Sequence, residues 1–275
     1  GMRITKAVID GLQNCKVITL GSVGVDSVDV KAATARGIPV TNVPDTFIEE
    51  VADHAMMLLL SGFRRLVEQD KMVRSGRWSE GRPQLLKIPR LMGQTLGFIS
   101  FGRVARAVAR RAAPFGLRLI AYDPFIQETL MYDHGVIPST LSEVLSQSDF
   151  ISMHAPARPE VHHMLGEQHF KQMKKTAVFI NTGRGATVNE EALIKALQDG
   201  TILSAGLDVY AREPEVPAEL IAMDHVVLFP HLGSASVATR EKMDQLVVDN
   251  LLAWAAGKPP LTPVAETPWP PKKRP

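Results

Sequence analysis

A chain of 275 residues, 45% of them hydrophobic, is long enough for two domains with real cores. Its 31 basic and 29 acidic residues nearly cancel at a net charge of +2, so no nucleic-acid partner is expected. One cysteine, Cys15, excludes an internal disulfide framework and points to a reducing compartment, with the cytoplasm as the default. Apolar runs such as 55–60 fall far short of the roughly 18 residues of a membrane span, so no membrane partner is expected either.

In chain order, short apolar runs at 16–20, 95–100, 117–122, 150–153, 177–181, 204–209 and 226–229 read as buried strands, with helical or turn-rich segments between them. That alternation predicts an α/β fold with a parallel sheet. The pattern from Thr46 to about Arg74 reads as one long helix, opened by a capping box of Thr46 and Glu49. Residues 104–113 read as a helix ending at Pro114, and Arg103, Arg106, Arg110 and Arg111 read as its solvated face. A second capping box joins Thr140 to Glu143, and Asn189 caps a helix that stops at Gly200. The tail 263–275 is rich in proline, ends basic, and is expected to have no fixed structure.

The stretch QTLGFISFGRVAR, residues 94–106, has the strand, turn and helix order of a dinucleotide site. Ser100 stands where the first glycine of G-x-G-x-x-G belongs, Gly102 holds the second place, and Ala105 takes the third. Gly102 would let the backbone approach a pyrophosphate, with the amides of Arg103 and Val104 at the helix N-terminus as donors. Serine takes ordinary negative-φ conformations at little cost, so the turn around Ser100 is expected to be slightly altered and still functional. Asp123 follows the next strand at the distance of a carboxylate that accepts from the adenine ribose and repels a 2′-phosphate, which predicts NAD in preference to NADP.

Three further segments sit at strand ends, where open α/β sheets bind ligands: Asn181 to Ala186, Gly206 to Pro214 and Pro230 to Ala235. They bring Arg184, Glu213 and His231 to one edge. Thr182 and His154, also at strand ends, are placed with the cofactor, and a structural role is the alternative for His154. His54 reads as a packed polar residue. His162, His163 and His169 form no zinc pattern, and no metal is expected.

Together VGVDSVD, TNVPDTFIEEVADH, the glycine turn, FGLRLIAYDP, DFISMHAP, INTGRGATVNEEAL, GLDVYAREP and FPHLGSAS resemble the D-isomer-specific 2-hydroxyacid dehydrogenases, from about residue 15 to 258. This family includes phosphoglycerate dehydrogenase, formate dehydrogenase, glyoxylate/hydroxypyruvate reductase and the CtBP corepressors. The resemblance implies a Rossmann-type doubly wound sheet over 46–232 and a smaller flavodoxin-like substrate domain from 1–45 and 233–262. The family's pattern starts earlier, so that second domain is expected to be truncated at its N-terminus, with strand 16–20 stripped of neighbours. Arg184 would bind the substrate carboxylate, Glu213 would pair with His231, and His231 would be the acid/base. Asp208 would contact the nicotinamide carboxamide, and the amides of Val23 and Gly24 would hold the substrate carboxylate. The implied activity is NAD-dependent interconversion of a small 2-oxo acid, hydroxypyruvate or glyoxylate by preference, and its D-2-hydroxy acid. A homodimer built on the helix from Thr46 and the segment around Trp78 is also implied. The alternatives are a CtBP-like NAD(H)-sensing corepressor and a phosphoglycerate dehydrogenase-like enzyme.

Overall fold

A computed structural model describes residues 3–85, 87–267 and 269, and the chain divides into two units, Gly1–Phe47 with Ala235–Pro275 and Ile48–Ser234. In the first unit, β1 (Ile18–Thr19) and β2 (Val40–Thr41) pair in parallel, Ile18 opposite Val40. β1 is shorter than the run at 16–20 suggests, and the expectation that this run is stripped of neighbours is corrected by its pairing with β2, which carries too few residues to show a period. Ile9, Ala33, Ile38 and Val40 are buried around them. The helix Val237–Ala255 is capped by Ser236, whose hydroxyl accepts from Thr239 N at 3.1 Å.

The expectation of an unstructured tail from residue 263 is corrected here. Pro263 bridges Thr41 in antiparallel sense, Val264 N donates to Val40 O at 3.0 Å, and Val40 N donates to Thr267 Oγ1 at 3.2 Å. Fully buried Asn250 anchors the approach by donating to Thr262 Oγ1 and accepting from Thr262 N. Proline has no amide to give, but an edge strand can hold one where the ladder uses the next residue's N–H instead. Residues 268 and 270–275 of that tail lie outside the described residues.

In the second unit a seven-stranded parallel sheet runs in the order β5 (Ile137–Pro138), β4 (Arg118–Tyr122), β3 (Thr95–Ile99), β6 (Phe150–Met153), β7 (Val178–Asn181), β8 (Ser204–Leu207) and β9 (Val226–Leu228). Strand order reverses between β3 and β6, which is the doubly wound arrangement. Helices cover both faces, so β3, β6, β7 and β8 are buried at every position, and this is why they read as unbroken apolar runs. β5 escaped the sequence because it is a two-residue edge strand.

The long helix expected from Thr46 to Arg74 is two helices, Ile48–Phe63 and Leu66–Arg74, broken at Arg65 with φ 54°. The first buries Val51, Ala55, Leu58 and Leu59 among the core side chains, whereas the second leaves Leu66 and Val73 exposed, so the chain turns away between them. The capping box at Thr46 does not form. Thr46 Oγ1 is buried without a partner among the described residues, and Glu49 instead takes bonds of 2.7–2.8 Å from Arg110 and Arg111 on the helix Arg103–Ala112. Two arginines outcompete one backbone amide for that carboxylate, and they hold it below its usual range. Arg110 and Arg111 are therefore cross-helix ties as well, Arg110 on the exposed face and Arg111 largely covered. The capping box at Thr140 and Glu143 and the cap at Asn189 are both present.

Candidate active site

Sheet register decides which side chains meet. Ile99 lies opposite Tyr122 and Met153, Met153 opposite Asn181, Asn181 opposite Leu207, and Leu207 opposite Leu228. The strands thus end in one row, and the residues that follow leave from one edge: Ser100 to Val104, Asp123, His154, Thr182 to Arg184, Asp208 to Glu213, and His231.

At β3 the chain turns into the helix Arg103–Ala112, whose N-cap is Gly102 and therefore lacks a capping side chain. A β-carbon added at Gly102 would meet no heavy atom within 4 Å. Thr182 Oγ1, at the end of β7, is buried without a partner among the described residues. An open approach to backbone amides at a helix N-terminus, together with a buried unmatched hydroxyl, fits a dinucleotide. Ser100 departs from expectation, because its φ is 71° and not negative. The position demands the left-handed conformation that glycine takes freely, and serine holds it with its hydroxyl donating to Asp123 Oδ2 at 3.2 Å. Phe101 N donates to the same oxygen at 2.8 Å, and Phe125 N to Oδ1 at 2.9 Å. An ionised carboxylate accepts about four hydrogen bonds, so Asp123 holds the turn and keeps acceptor capacity on Oδ1.

At the far side of the edge, His231 Nδ1 lies 2.6 Å from Glu213 Oε2. The other oxygen, Oε1, accepts from Tyr210 N at 3.1 Å. The hydrogen bond from Glu213 raises the His231 pKa above the usual imidazole range, against burial and the opposing charge of Arg184. Burial pushes the Glu213 carboxyl up, but bonding to His231 and to Tyr210 N outweighs it and holds the group below its ordinary value. The pair favours the charged form of this half-exposed imidazole and orients it through Nδ1, so that Nε2 can act on a ligand. Arg184 is brought to the same place by the loop after β7. Gly185 makes this possible, since a β-carbon there would fall 2.0 Å from Tyr210 C.

His231 is itself left-handed, with φ 55°. Two neighbours fix the backbone around it. Asp208, 1% exposed, accepts from Leu232 N at 2.9 Å and Gly233 N at 2.8 Å, and Tyr210 Oη donates to Phe229 O at 2.9 Å. Burial would push the Asp208 carboxyl up, yet His54 and the two amides hold it below its ordinary value. Tyr210 goes the other way, pushed up to about 12 by burial, and serves as a neutral phenol.

Residues 56–233 match the family described as D-isomer specific 2-hydroxyacid dehydrogenase, NAD binding domain. The chain is 42% identical over 259 residues to a glyoxylate reductase of Korarchaeum cryptofilum, covering 94% of this chain and 78% of that one. A glyoxylate reductase of Thermococcus litoralis is 42% identical over 262 residues, with 94% and 79% covered. The chain belongs to the D-isomer specific 2-hydroxyacid dehydrogenase family. Among solved structures, the NADPH-dependent glyoxylate/hydroxypyruvate reductase of Sinorhizobium meliloti is similar at a TM-score of 0.87 and 39% identity, over 97% of this chain and 83% of that one. This dehydrogenase is accordingly an NAD(P)-dependent oxidoreductase acting on 2-oxo acids, a reading favoured over the corepressor alternative.

The remaining expected site residues are placed as follows. His154 follows β6, with its Nε2 2.8 Å from Ser152 Oγ, and burial pushes its pKa down to about 4, so it is neutral. In the other unit, the carbonyls of the loop at Val23 and Gly24 are engaged, Val23 O accepting from Asn42 Nδ2 and Gly24 O from Ser22 Oγ, both at 2.8 Å. His162 and His163 stack at 4.0 Å. No group of three metal-ligating side chains occurs among the described residues, and none of their helices is long and apolar enough to cross a membrane. The sequence reading missed Tyr210 and the part played by His54. The spacing Asp208, Tyr210, Glu213 on one short loop was the available signal for the tyrosine.

Proposed function

We propose that this dehydrogenase reduces hydroxypyruvate to its D-2-hydroxy acid, or glyoxylate to the achiral glycolate, with NADH as donor. The observation that carries the reading is the Glu213–His231 pair at 2.6 Å, on the sheet edge that also carries Arg184 and the Gly102 turn. The nicotinamide, when bound, supplies a hydride to C2 of the substrate. The chain's own residues do the rest. Arg184 presents a planar fork to the carboxylate and fixes which face of the carbonyl is offered. As C2 accepts the hydride, the carbonyl π pair moves onto oxygen, and that oxygen takes the proton from His231 Nε2. Glu213 supports the imidazolium beforehand and takes up the orienting role afterwards, when the ring is neutral.

Three finer points belong to the same proposal. Asp123 favours NADH over NADPH by repelling a 2′-phosphate, while Ser100, Gly102, Arg103, Val104, His154 and Thr182 line the cofactor's path. Asp208 touches the nicotinamide carboxamide, and Val23 and Gly24 hold the carboxylate; these roles rest on their motifs. Exposed Leu66, Val73 and Trp78 support a homodimer built on that segment, and the single Cys15 fits a cytoplasmic setting. The test follows NADH oxidation with glyoxylate, hydroxypyruvate and pyruvate, in wild type and in His231→Ala. Loss of an acid/base is expected to lower kcat on the order of 10²- to 10⁴-fold. A purified protein that binds NADH but shows no His231-dependent turnover with any of them would sink the reading.

A further inference from the structure

His54 lies on the helix Ile48–Phe63, and its side chain is 11% exposed. Its ring stands edge-on to Phe229, with centroids 4.9 Å apart and planes at 84°. Nε2 lies 3.3 Å from Asp208 Oδ1, the oxygen that accepts from Leu232 N, without the geometry of a hydrogen bond. A β-carbon at Gly233 would come 2.8 Å from Asp208 Oδ2 and 3.4 Å from His54 Cδ2. The turn from Phe229 to Gly233 therefore passes directly over the imidazole and the carboxylate, with no side chain between.

We propose that His54 is a positioning residue for the acid/base, acting through Asp208 and Phe229 on the backbone that presents His231. A buried carboxylate needs polar or charged partners on every side to stay where it is. Asp208 accepts from the backbone amides of Leu232 and Gly233, and His54 Nε2 stands beside its Oδ1. A left-handed histidine persists only where its surroundings over-determine the backbone. Glu213 cannot do this, because it grips the ring and not the main chain. Edge-on contact with Phe229 fixes one end of the turn, and the Asp208 contact fixes the other.

The kinetic arm of the test rests on the reductase reading; the exchange arm does not. His54→Phe keeps a ring against Phe229 and removes the polar contact, while His54→Gln restores an N–H near the position of Nε2. In His54→Phe, kcat is expected to fall on the order of 10- to 100-fold, the effect of a small misplacement, with NADH affinity falling far less than kcat because Asp208 keeps both amide bonds. Hydrogen exchange of the Leu232 and Gly233 amides is expected to speed up by about tenfold, confined to the peptide 229–234. His54→Gln should recover most of both. Wild-type kcat and exchange in His54→Phe would overturn the proposal, as would equal loss in both variants, which would trace the effect to packing alone. Loss of NADH binding in step with kcat, with exchange raised throughout the unit, would likewise overturn it in favour of a general structural role. If wild type turns over no 2-oxo acid, the reductase reading fails and the exchange arm alone decides this one.

Discussion

Ser100 sets two effects of similar size against each other. A side chain in the left-handed region costs roughly 1–2 kcal/mol, which glycine avoids, and the φ of 71° places Ser100 there. Its hydroxyl bond to Asp123 Oδ2 returns part of that. Hydrogen bonds to charged groups are worth about 1.5–3 kcal/mol, and at 3.2 Å on a half-buried residue the lower end applies. Ser100→Gly removes both effects and adds the glycine's greater freedom when unfolded, so its stability should stay within about 1 kcal/mol of wild type. Ser100→Ala removes the bond and keeps the backbone cost, so it should lose about 1–2 kcal/mol. At about 2–4 °C per kcal/mol, thermal unfolding should separate the two variants by several degrees. NADH affinity, from cofactor fluorescence, should change by less than tenfold in either, since Gly102 and the helix amides are untouched. A Ser100→Ala variant as stable as wild type would refute the claim that Asp123 compensates the strain. A gain in affinity above about 1.4 kcal/mol in Ser100→Gly would show that the side chain obstructs the cradle.

Other outcomes follow from the same geometry. Glu213→Gln should move the alkaline limb of the pH profile for reduction to lower pH, since the hydrogen bond that raises the His231 pKa is weakened while burial and Arg184 still oppose the charge. The sign is fixed by the wild-type pair: His231 contributes stability below its unfolded pKa and loses it as pH rises through the raised folded value, while Glu213 loses its contribution as pH falls through its depressed one. An unmoved alkaline limb would remove Glu213 from this role. Asp123→Ala should raise the ratio of NADPH to NADH kcat/KM by about tenfold, and a wild-type enzyme that already uses both equally would contradict the role given to Asp123. Gly185→Ala drives a methyl group to 2.0 Å from Tyr210 C, so it should cost more than about 2 kcal/mol in thermal unfolding and lower kcat, because the loop carrying Arg184 must move. Wild-type behaviour there would mean the loop has room the structure does not show.

What the sequence made legible was whatever a strand or a motif declares locally. The buried strands β3, β6, β7 and β8 announce themselves because both faces are covered, and motif residues at their ends inherit a common edge from the parallel register. Short edge strands carry no such mark, and neither does a tail whose pairing partner lies more than 200 residues away, as Thr267 does from Val40. The failed cap at Thr46 belongs to the same class, since its glutamate is claimed by Arg110, 61 residues on. Within the candidate site, the pairing of Glu213 with His231 was expected from their motifs, but the ties from Asp208 to Leu232 and from Tyr210 to Phe229 were not. Those ties depend on which loops the sheet brings side by side, and no local spacing encodes that.

A pattern does emerge once the fold is known. Of the five left-handed residues that are not glycine, Asp45, Arg65, Ser100, His163 and His231, three have a side chain bonded to a carboxylate: Arg65 to Glu68, Ser100 to Asp123 and His231 to Glu213. Left-handed backbone is unfavourable enough that a single flexible contact would not hold it, and a charge-assisted bond to the side chain adds to the backbone contacts that do. At Arg65 the bond closes a turn between two helices. At Ser100 it shapes the turn before the helix Arg103–Ala112, and at His231 the carboxylate favours the charged form of the ring and sets its aim. Glu213 thus sets the aim of the ring and favours its charged form while Asp208 holds the backbone that follows, which is why Glu213 cannot be exchanged for a neutral group without disturbing aim and charge at once.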